Sequence, residues 1–480
     1  MISSVAPAPT VWPLVVVGGG PAGIAAATEA ARAGLRCLLV DEAPAPGGQI
    51  YRRLPGEFRI RDPRGLGRDH RRGDRLRAEL AQVAERVEVR SGTSVFDIAD
   101  RRHVLCASHD GGAGRITTER LVLATGAYDR PLPFPGWTLP GVLTAGGAQT
   151  LLKTMRVRPG DRALVAGTGP LLLVVANQLH HAGVRVVAVL EAGRSAFTAG
   201  TLLRAWREWG LLADGFRYRL GLARAGIPVR YNHAVFEAHG DGQVDSVTYG
   251  PVASRDWRPI RQRSRRVDVD LLVVGYGFVP SVELCDLAGC RTEYAHRLGG
   301  WVPVRDATMQ TTVPGVFAVG DGAGVAGALV AVAEGRIAGI TAAEQAGTIG
   351  PAEAERRRRP QVRRLRALAG VREALDAISS IRPGLYELAT EATPLCRCEE
   401  VTRAEVEAAV GAGARDLQAV KLFTRLGMGA CQGRNCAPSA AAVLCAATGC
   451  PPRDTGRINP RPPVKPVTLG TLARQQGGAR

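Results

Sequence analysis

The chain is 480 residues long, 45% apolar and 22% charged, with a formal net charge of +18, which suggests roughly three domains with sizeable cores. Only three of its 62 basic residues are lysines (Lys153, Lys421, Lys465), and the arginine clusters at 52–76 and 356–366 lack interleaved aromatics, so the charge reads as solvated arginine rather than a nucleic-acid surface. Ten cysteines are too sparse for a disulfide scaffold, no run of eighteen apolar residues could span a membrane, and the apolar stretch Val11 to Ala27 holds a glycine loop and lacks a basic leader, so a cytoplasmic protein is expected.

Residues 1–12 are Pro/Ala-rich and are expected to fray. The pattern then predicts a buried strand at 14–17, an Ala-rich helix at 21–33 and a strand at 36–40 ending at Asp41, a β-loop-α-β unit. An Arg/Gly/Pro-rich connection covers 52–76, a helix follows near 75–85, and a strand at 121–125 ends in Ala124-Thr125-Gly126-Ala127. Four prolines between 131 and 141 read as a linker. A second unit of the same kind begins after Pro159-Gly160-Asp161, with strands at 162–166 and 185–190 around a helix at 170–182. Further buried strands are predicted at 271–274 and 316–319, then an Ala/Gly-rich helix to about 346 and an arginine-rich helical connector.

The first loop, Gly18-Gly19-Gly20-Pro21-Ala22-Gly23, has the full dinucleotide-binding context. Gly18 allows the tight turn, Gly20 the approach of a pyrophosphate, and Gly23 close helix–strand packing, while the helix N-terminus faces the phosphates. Asp41, with Glu42 as its neighbour, stands where a carboxylate accepts from ribose hydroxyls. Gly47-Gly48-Gln49, the Thr125-Gly126 turn and Gly320-Asp321 favour FAD over NAD as the ligand. Asp321 reads alternatively as a cap for the helix after Gly322. The second loop, Gly167-Thr168-Gly169-Pro170-Leu171-Leu172, has leucine in place of the third glycine but keeps an acid, Glu191, at the ribose position. It reads either as an NADH site or as a retained fold without NADH turnover. Cys285 and Cys290 read as helix-packing residues.

Near the C-terminus, Cys396-Arg397-Cys398 and Cys431-Gln432-Gly433-Arg434-Asn435-Cys436 supply four thiolates in two pairs, enough for an iron–sulfur cluster. Zinc is the alternative, though its cysteine pairs usually have two to four residues between them and Cys396 and Cys398 have one, and disulfide bonding is disfavoured in a reducing compartment.

The dinucleotide motifs resemble those of glutathione and thioredoxin reductases, in which the late Asp bonds the ribityl chain of FAD. Cys396 to Thr402 and Gly427 to Cys436 resemble the 2Fe–2S domain of bacterioferritin-associated ferredoxins. Together with Ala124-Thr125-Gly126-Ala127-Tyr128-Asp129-Arg130-Pro131 and Gly275-Tyr276-Gly277-Phe278-Val279-Pro280, these motifs resemble the flavoprotein subunits of bacterial dye-linked amino-acid dehydrogenases: opine oxidase A, hydrogen cyanide synthase B and D-hydroxyproline dehydrogenase alpha. The resemblance implies an α/β fold with two dinucleotide-binding, glutathione-reductase-like domains and a small helical 2Fe–2S domain. The expected segments are 12–135 plus 265–350 for FAD, 140–264 for a degenerate nucleotide domain, 351–390 for a helical connector, 391–450 for 2Fe–2S, and a disordered tail at 451–480. It implies FAD, a 2Fe–2S cluster ligated by Cys396, Cys398, Cys431 and Cys436, and a second adenine nucleotide, NADH or ATP, at Gly167, Gly169 and Glu191. It also implies a small FAD-containing partner that oxidises an opine, hydroxyproline, proline or glycine, and a further small iron–sulfur subunit, with membrane association only through partners. No histidine sits in the glycine or strand-end motifs, and no catalytic base is assigned. The rival readings are a self-sufficient NADH-dependent reductase and an iron-handling module.

Overall fold

The computed structural model describes residues 11–54, 58, 67–108, 111–195 and 209–477. The expected frayed segment up to residue 10 and part of the arginine-rich connection lie outside them. The chain divides into two units. One comprises 1–127, 280–366 and 460–480; the other comprises 128–279 and 367–459.

In the first unit the glycine loop sits on a five-stranded parallel sheet. Its order is Val316–Ala318, Leu121–Leu123, Leu14–Val17, Cys37–Val40, Val87–Arg90. The middle strands are short unbroken runs of Val and Leu, as a sheet covered on both faces requires. Helices Pro21–Arg32 and Ala328–Gln345 cross closely on this sheet. A Cβ on Gly335 or Gly339 would lie 2.1 or 2.2 Å from the carbonyl oxygens of Ala22 and Ala26. A second sheet pairs Val11–Trp12 with Ala113–Thr118, His103–Ser108 and Thr93–Ala99. Trp12, expected to fray, is therefore a buried strand residue.

In the second unit the corresponding five-stranded parallel sheet runs Val142–Thr144, Leu271–Gly275, Arg162–Gly167, Arg185–Glu191, Val229–Tyr231. The strand near 271 was expected in the FAD domain. It pairs instead in parallel with Arg162–Gly167, from Ala163 opposite Leu271 to Gly167 opposite Gly275, so the boundary falls after Val279 and not at 264. The proline-rich 131–141 stretch is not a free linker. Leu132 and Phe134 are buried, and the Trp137 indole N–H donates to the Pro394 carbonyl at 2.8 Å.

The C-terminal part of this unit is helical, with Arg403–Gly411, Leu417–Thr424 and Ala437–Thr448 around one apolar cluster running from Ala389 to Ile458. Thr402 and Glu405 form a reciprocal capping box at the first helix. The expected disordered tail is ordered through its described residues. Val464 is buried, its N–H donates to Phe96 at 2.8 Å, Lys465 pairs with Glu42, and Leu469–Gly477 is helical. Its Pro/Arg/Gly composition hid the apolar contacts that anchor it. Among the described residues no helix is long and apolar enough to cross a membrane.

Candidate functional site

Four distant segments meet at the first glycine loop. The Gly18 N–H donates to the Val40 carbonyl at 2.8 Å, and Gly18 has φ +103°, where a Cβ would lie 2.3 Å from the Ala124 carbonyl oxygen. A Cβ on Gly23 would lie 1.8 Å from the Gly18 oxygen, while over Gly20 the nearest atom, Gly48 Cα, is 3.9 Å away. The loop is thus closed at its two structural glycines and open where a pyrophosphate would lie. Gly48 packs onto Gly20. Gln49 is exposed and accepts from Arg52.

Gly320 and Gly322 bring the late strand to the same place. Their Cβ positions would fall 2.9 Å from Ala22 Cβ and 2.4 Å from Thr125 Oγ1. Thr125 donates to the Ser281 carbonyl at 2.6 Å, and Gly126 (φ +70°) has open space on its Cβ side. Asp321 Oδ1 accepts from the N–H groups of Ala326 and Gly327, both at 2.9 Å. It shapes the turn before the Ala328–Gln345 helix, whose N-cap is Gly327 with no side-chain cap.

The acid at the end of the second strand has an unused atom. Asp41 is 8% exposed. Its Oδ1 accepts from the Ala43 N–H at 3.0 Å, while buried Oδ2 has no well-formed partner and faces Gly19. Burial holds the carboxyl above its usual range, against the lowering effect of the Ala43 and Gly19 N–H groups. A buried lone acceptor is costly, and ribose hydroxyls would satisfy it. The open glycines and this orphaned oxygen fit the adenosine diphosphate part of FAD. Glu42 points away to Lys465.

Sequence reading missed what holds the late turn. Glu334, 4% exposed, accepts from Arg305 Nη2 at 2.6 Å, Arg305 Nη1 at 2.9 Å and the Gly320 N–H at 2.9 Å. The signal was there: a carboxylate inside the apolar stretch 328–333 and 337–343 needs a partner.

The second loop repeats the backbone plan. A Cβ on Gly167 would lie 1.9 Å from the Gly275 oxygen, as Gly18 meets Ala124. Leu172 is 1% exposed and is accommodated because Gly275 opposite has no side chain. Both Glu191 oxygens are occupied, by the N–H groups of Gly169 at 2.9 Å and Gly193 at 3.0 Å. Burial raises its carboxyl to about 7, against those donors. Ser379 lies over Gly169, with its Cβ 3.3 Å from where a Gly169 Cβ would stand. This loop differs from the first on both counts: its acid is satisfied and its second glycine is covered.

The four C-terminal cysteines meet as two pairs, each drawing one sulfur from each sequence motif. Cys436 donates to Cys396, and Cys398 contacts Cys431. Cys396 and Cys436 are buried, Cys431 is half-buried and Cys398 exposed. The Cys436 thiol and the N–H groups of Gly427, Glu399 and Cys398 lower Cys396 to about 5, whereas holding the shared proton raises Cys436. Gly429 makes room for Cys398, since a Cβ there would lie 2.3 Å from Cys398 Cβ. Among the described residues no group of three or more His, Cys, Asp or Glu side chains is gathered closely enough to hold a metal ion. Two thiol pairs with backbone N–H donors to sulfur are a donor set that suits a two-iron cluster. All ten cysteines are free thiols. Cys285 and Cys290 are buried helix-end residues, as expected.

A dinucleotide cradle of this design defines a FAD-dependent oxidoreductase. The chain belongs to the pyridine nucleotide-disulphide oxidoreductase family, whose profile matches residues 12–347, in the line of the hydrogen cyanide synthase and opine oxidase subunits. Residues 394–476 match the sarcosine oxidase A3 domain. The chain is 38% identical over 461 residues to the hydrogen cyanide synthase protein HcnB of Pseudomonas aeruginosa, covering 95% of this chain and 97% of that one. It is 36% identical to the opine oxidase A-subunit of Agrobacterium tumefaciens, covering 98% and 93%. Among solved structures, L-proline dehydrogenase from P. horikoshii superposes with a TM-score of 0.71 at 22% identity, covering 97% of this chain and 80% of that one.

Proposed function

We propose that this chain is the electron-transfer subunit of a hetero-oligomeric amino-acid or imino-acid dehydrogenase or oxidase acting on an opine, hydroxyproline, proline or glycine. The carrying observation is one chain with an open dinucleotide cradle and four converging cysteines. FAD at Gly18, Gly20, Gly23, Asp41, Gly48, Thr125, Gly126, Gly320 and Asp321 supplies two-electron chemistry, and a 2Fe–2S cluster on Cys396, Cys398, Cys431 and Cys436 supplies one-electron chemistry. The loop residues exclude side chains from the phosphate path, Asp41 orients the ribose, and the backbone N–H groups around Cys396 stabilise anionic sulfur.

A small FAD-containing partner oxidises the substrate, joined by a further small iron–sulfur subunit. Its support is twofold. The relatives are named as subunits, and Leu422, Phe423 and Met428 are 78%, 60% and 40% exposed within the chain segment between the cysteine motifs, apolar surface of the kind that marks protein contacts. A cytoplasmic site is proposed with it, in keeping with ten cysteines of which none is disulfide-bonded. The chain purified alone should show little dye-linked activity with proline, hydroxyproline, glycine or opines, and co-expression with the partner should restore it. Robust turnover by the isolated chain overturns the proposal. The covered Gly169 and the saturated Glu191 favour this reading over a self-sufficient NADH reductase, for which rapid anaerobic bleaching of the flavin by micromolar NADH would be decisive.

A further inference from the structure

The pattern Cys-x3-Gly-Cys occurs twice, at Cys285–Cys290 and at Cys445–Cys450. Each ends a helix with a left-handed glycine, φ +78° at Gly289 and +73° at Gly449. Such a cap turns the chain back, so that the residue after the glycine returns over the residue five earlier, a place usually filled by two apolar side chains. Here it holds two thiols. The two caps differ in their bonds: the Cys290 N–H donates to the Cys285 carbonyl at 2.9 Å, whereas at the second helix the Gly449 N–H donates to the Cys445 carbonyl at 2.8 Å and the Cys450 N–H to Thr448 Oγ1 at 3.4 Å.

The two pairs differ in access. Cys285 and Cys290 are 1% and 6% exposed, and the Cys290 thiol is engaged with Thr311 Oγ1 at 3.3 Å. Cys445 and Cys450 are only half-buried, and the two thiols are near enough that Cys450, after burial, raises the pKa of Cys445. Beyond Cys450 the chain makes the short turn Pro452–Thr455 and reaches Ile458. Ile458 Cδ1 lies against the loop that carries two of the four cysteines, 2.4 and 2.6 Å from where Cβ atoms on Gly427 and Gly433 would stand.

We propose that Cys445 and Cys450 form a reversible disulfide by exchange with a low-molecular-weight disulfide, stapling residues 450–458 to the Ala437–Thr448 helix and so restraining the 427–436 loop. Burial holds Cys445 protonated, up to about 12, so Cys450 is the sulfur that attacks first and Cys445 the one that resolves. The Cys450 sulfur bonds to one sulfur of the small disulfide and releases one thiol. Cys445 then gives up its proton and displaces the second thiol from the mixed disulfide. Two protein S–H bonds and one external S–S bond are lost. One protein S–S bond and two external S–H bonds are gained, and two electrons reduce the external disulfide. The proposal stands whatever the four cysteines carry.

The purified full chain, reduced and then equilibrated with oxidised glutathione, is alkylated and mapped by mass spectrometry, with amide deuterium exchange measured in parallel. A peptide linked through Cys445 and Cys450 is expected, reopened by dithiothreitol, with Cys285 and Cys290 unlinked throughout. Exchange in 450–458 and 427–436 should slow severalfold in the oxidised form. Cys450→Ser should abolish both effects, and Cys445→Ser should collect a glutathione adduct on Cys450. Free Cys445 and Cys450 after this treatment would overturn the proposal. So would a link to Cys431 or Cys436, a Cys445→Ser chain without the adduct, or a disulfide that leaves exchange unchanged.

Discussion

Removing Glu334 should loosen the late turn of the flavin cradle before it unfolds the chain. In Glu334→Ala the Arg305 guanidinium loses both hydrogen bonds to the carboxylate, and the buried Gly320 N–H loses its acceptor. Breaking a buried ion pair from one side costs about 3–5 kcal/mol, and an orphaned N–H about 1–3 kcal/mol. These losses share one side chain and do not add. Arg305 is 17% exposed, so water recovers part of its solvation, and about 4 kcal/mol is expected. That is a large fraction of the roughly 5–15 kcal/mol that holds a typical domain folded. The assay is urea unfolding followed by circular dichroism, with flavin fluorescence reporting release. Flavin should leave at lower urea than the loss of helix, because Gly320 and Asp321 are freed first. Glu334→Gln keeps the volume and an acceptor and should lose about half as much. Glu353→Ala removes a half-buried i,i+4 pair with Arg357 on the helix surface and should cost about 0.5–1 kcal/mol. A Glu334→Ala chain within about 1 kcal/mol of its parent, the size of an average substitution, would refute the reasoning.

Gly20→Val should fold and purify without flavin, because its Cβ side opens only onto the phosphate path, whereas Gly23→Val should fail to fold because its Cβ meets the Gly18 oxygen at 1.8 Å; full flavin content in Gly20→Val would misplace the site. Single Cys→Ala changes at 396, 398, 431 or 436 should remove iron and the reduced-cluster electron paramagnetic resonance signal while flavin is retained, and one zinc per chain with no such signal would replace the cluster assignment. Glu191 titrates at about 7 in the folded chain against an ordinary 4.5, so between those values the folded state keeps a proton that the unfolded chain has lost. Its stabilising contribution is complete below about pH 4.5 and is lost as pH rises through about 7, and Glu191→Gln should flatten that slope by about 3 kcal/mol, read as thermal midpoints across pH 4.5–8.

The two nucleotide units were legible because their signals are local: a glycine loop between a buried strand and an Ala-rich helix, with an acid at the next strand end, each within about thirty residues. The pairing of cysteines from the two C-terminal motifs was suggested by the sequence for the same reason, since each motif is short and local. The boundary at Val279 was not legible. Leu271–Gly275 is an apolar run that suits either sheet, and its register against Arg162–Gly167 alone decides which it joins. Nor was the tail, where Val464 and Lys465 are held by Phe96 and Glu42 across hundreds of residues. Leu172 marked the second loop as altered in sequence, but only packing showed that Gly275 absorbs it and that Ser379 covers Gly169. The sequence alone determined which chemistries the chain can host, because glycines, acids and thiols carry that information in their own backbone freedom and charge. Tertiary structure decided which acceptors are left over for a ligand, because a buried oxygen such as Asp41 Oδ2 is left without a well-formed hydrogen bond, and one such as Glu191 Oε2 is paired, only through neighbours brought together by the sheet.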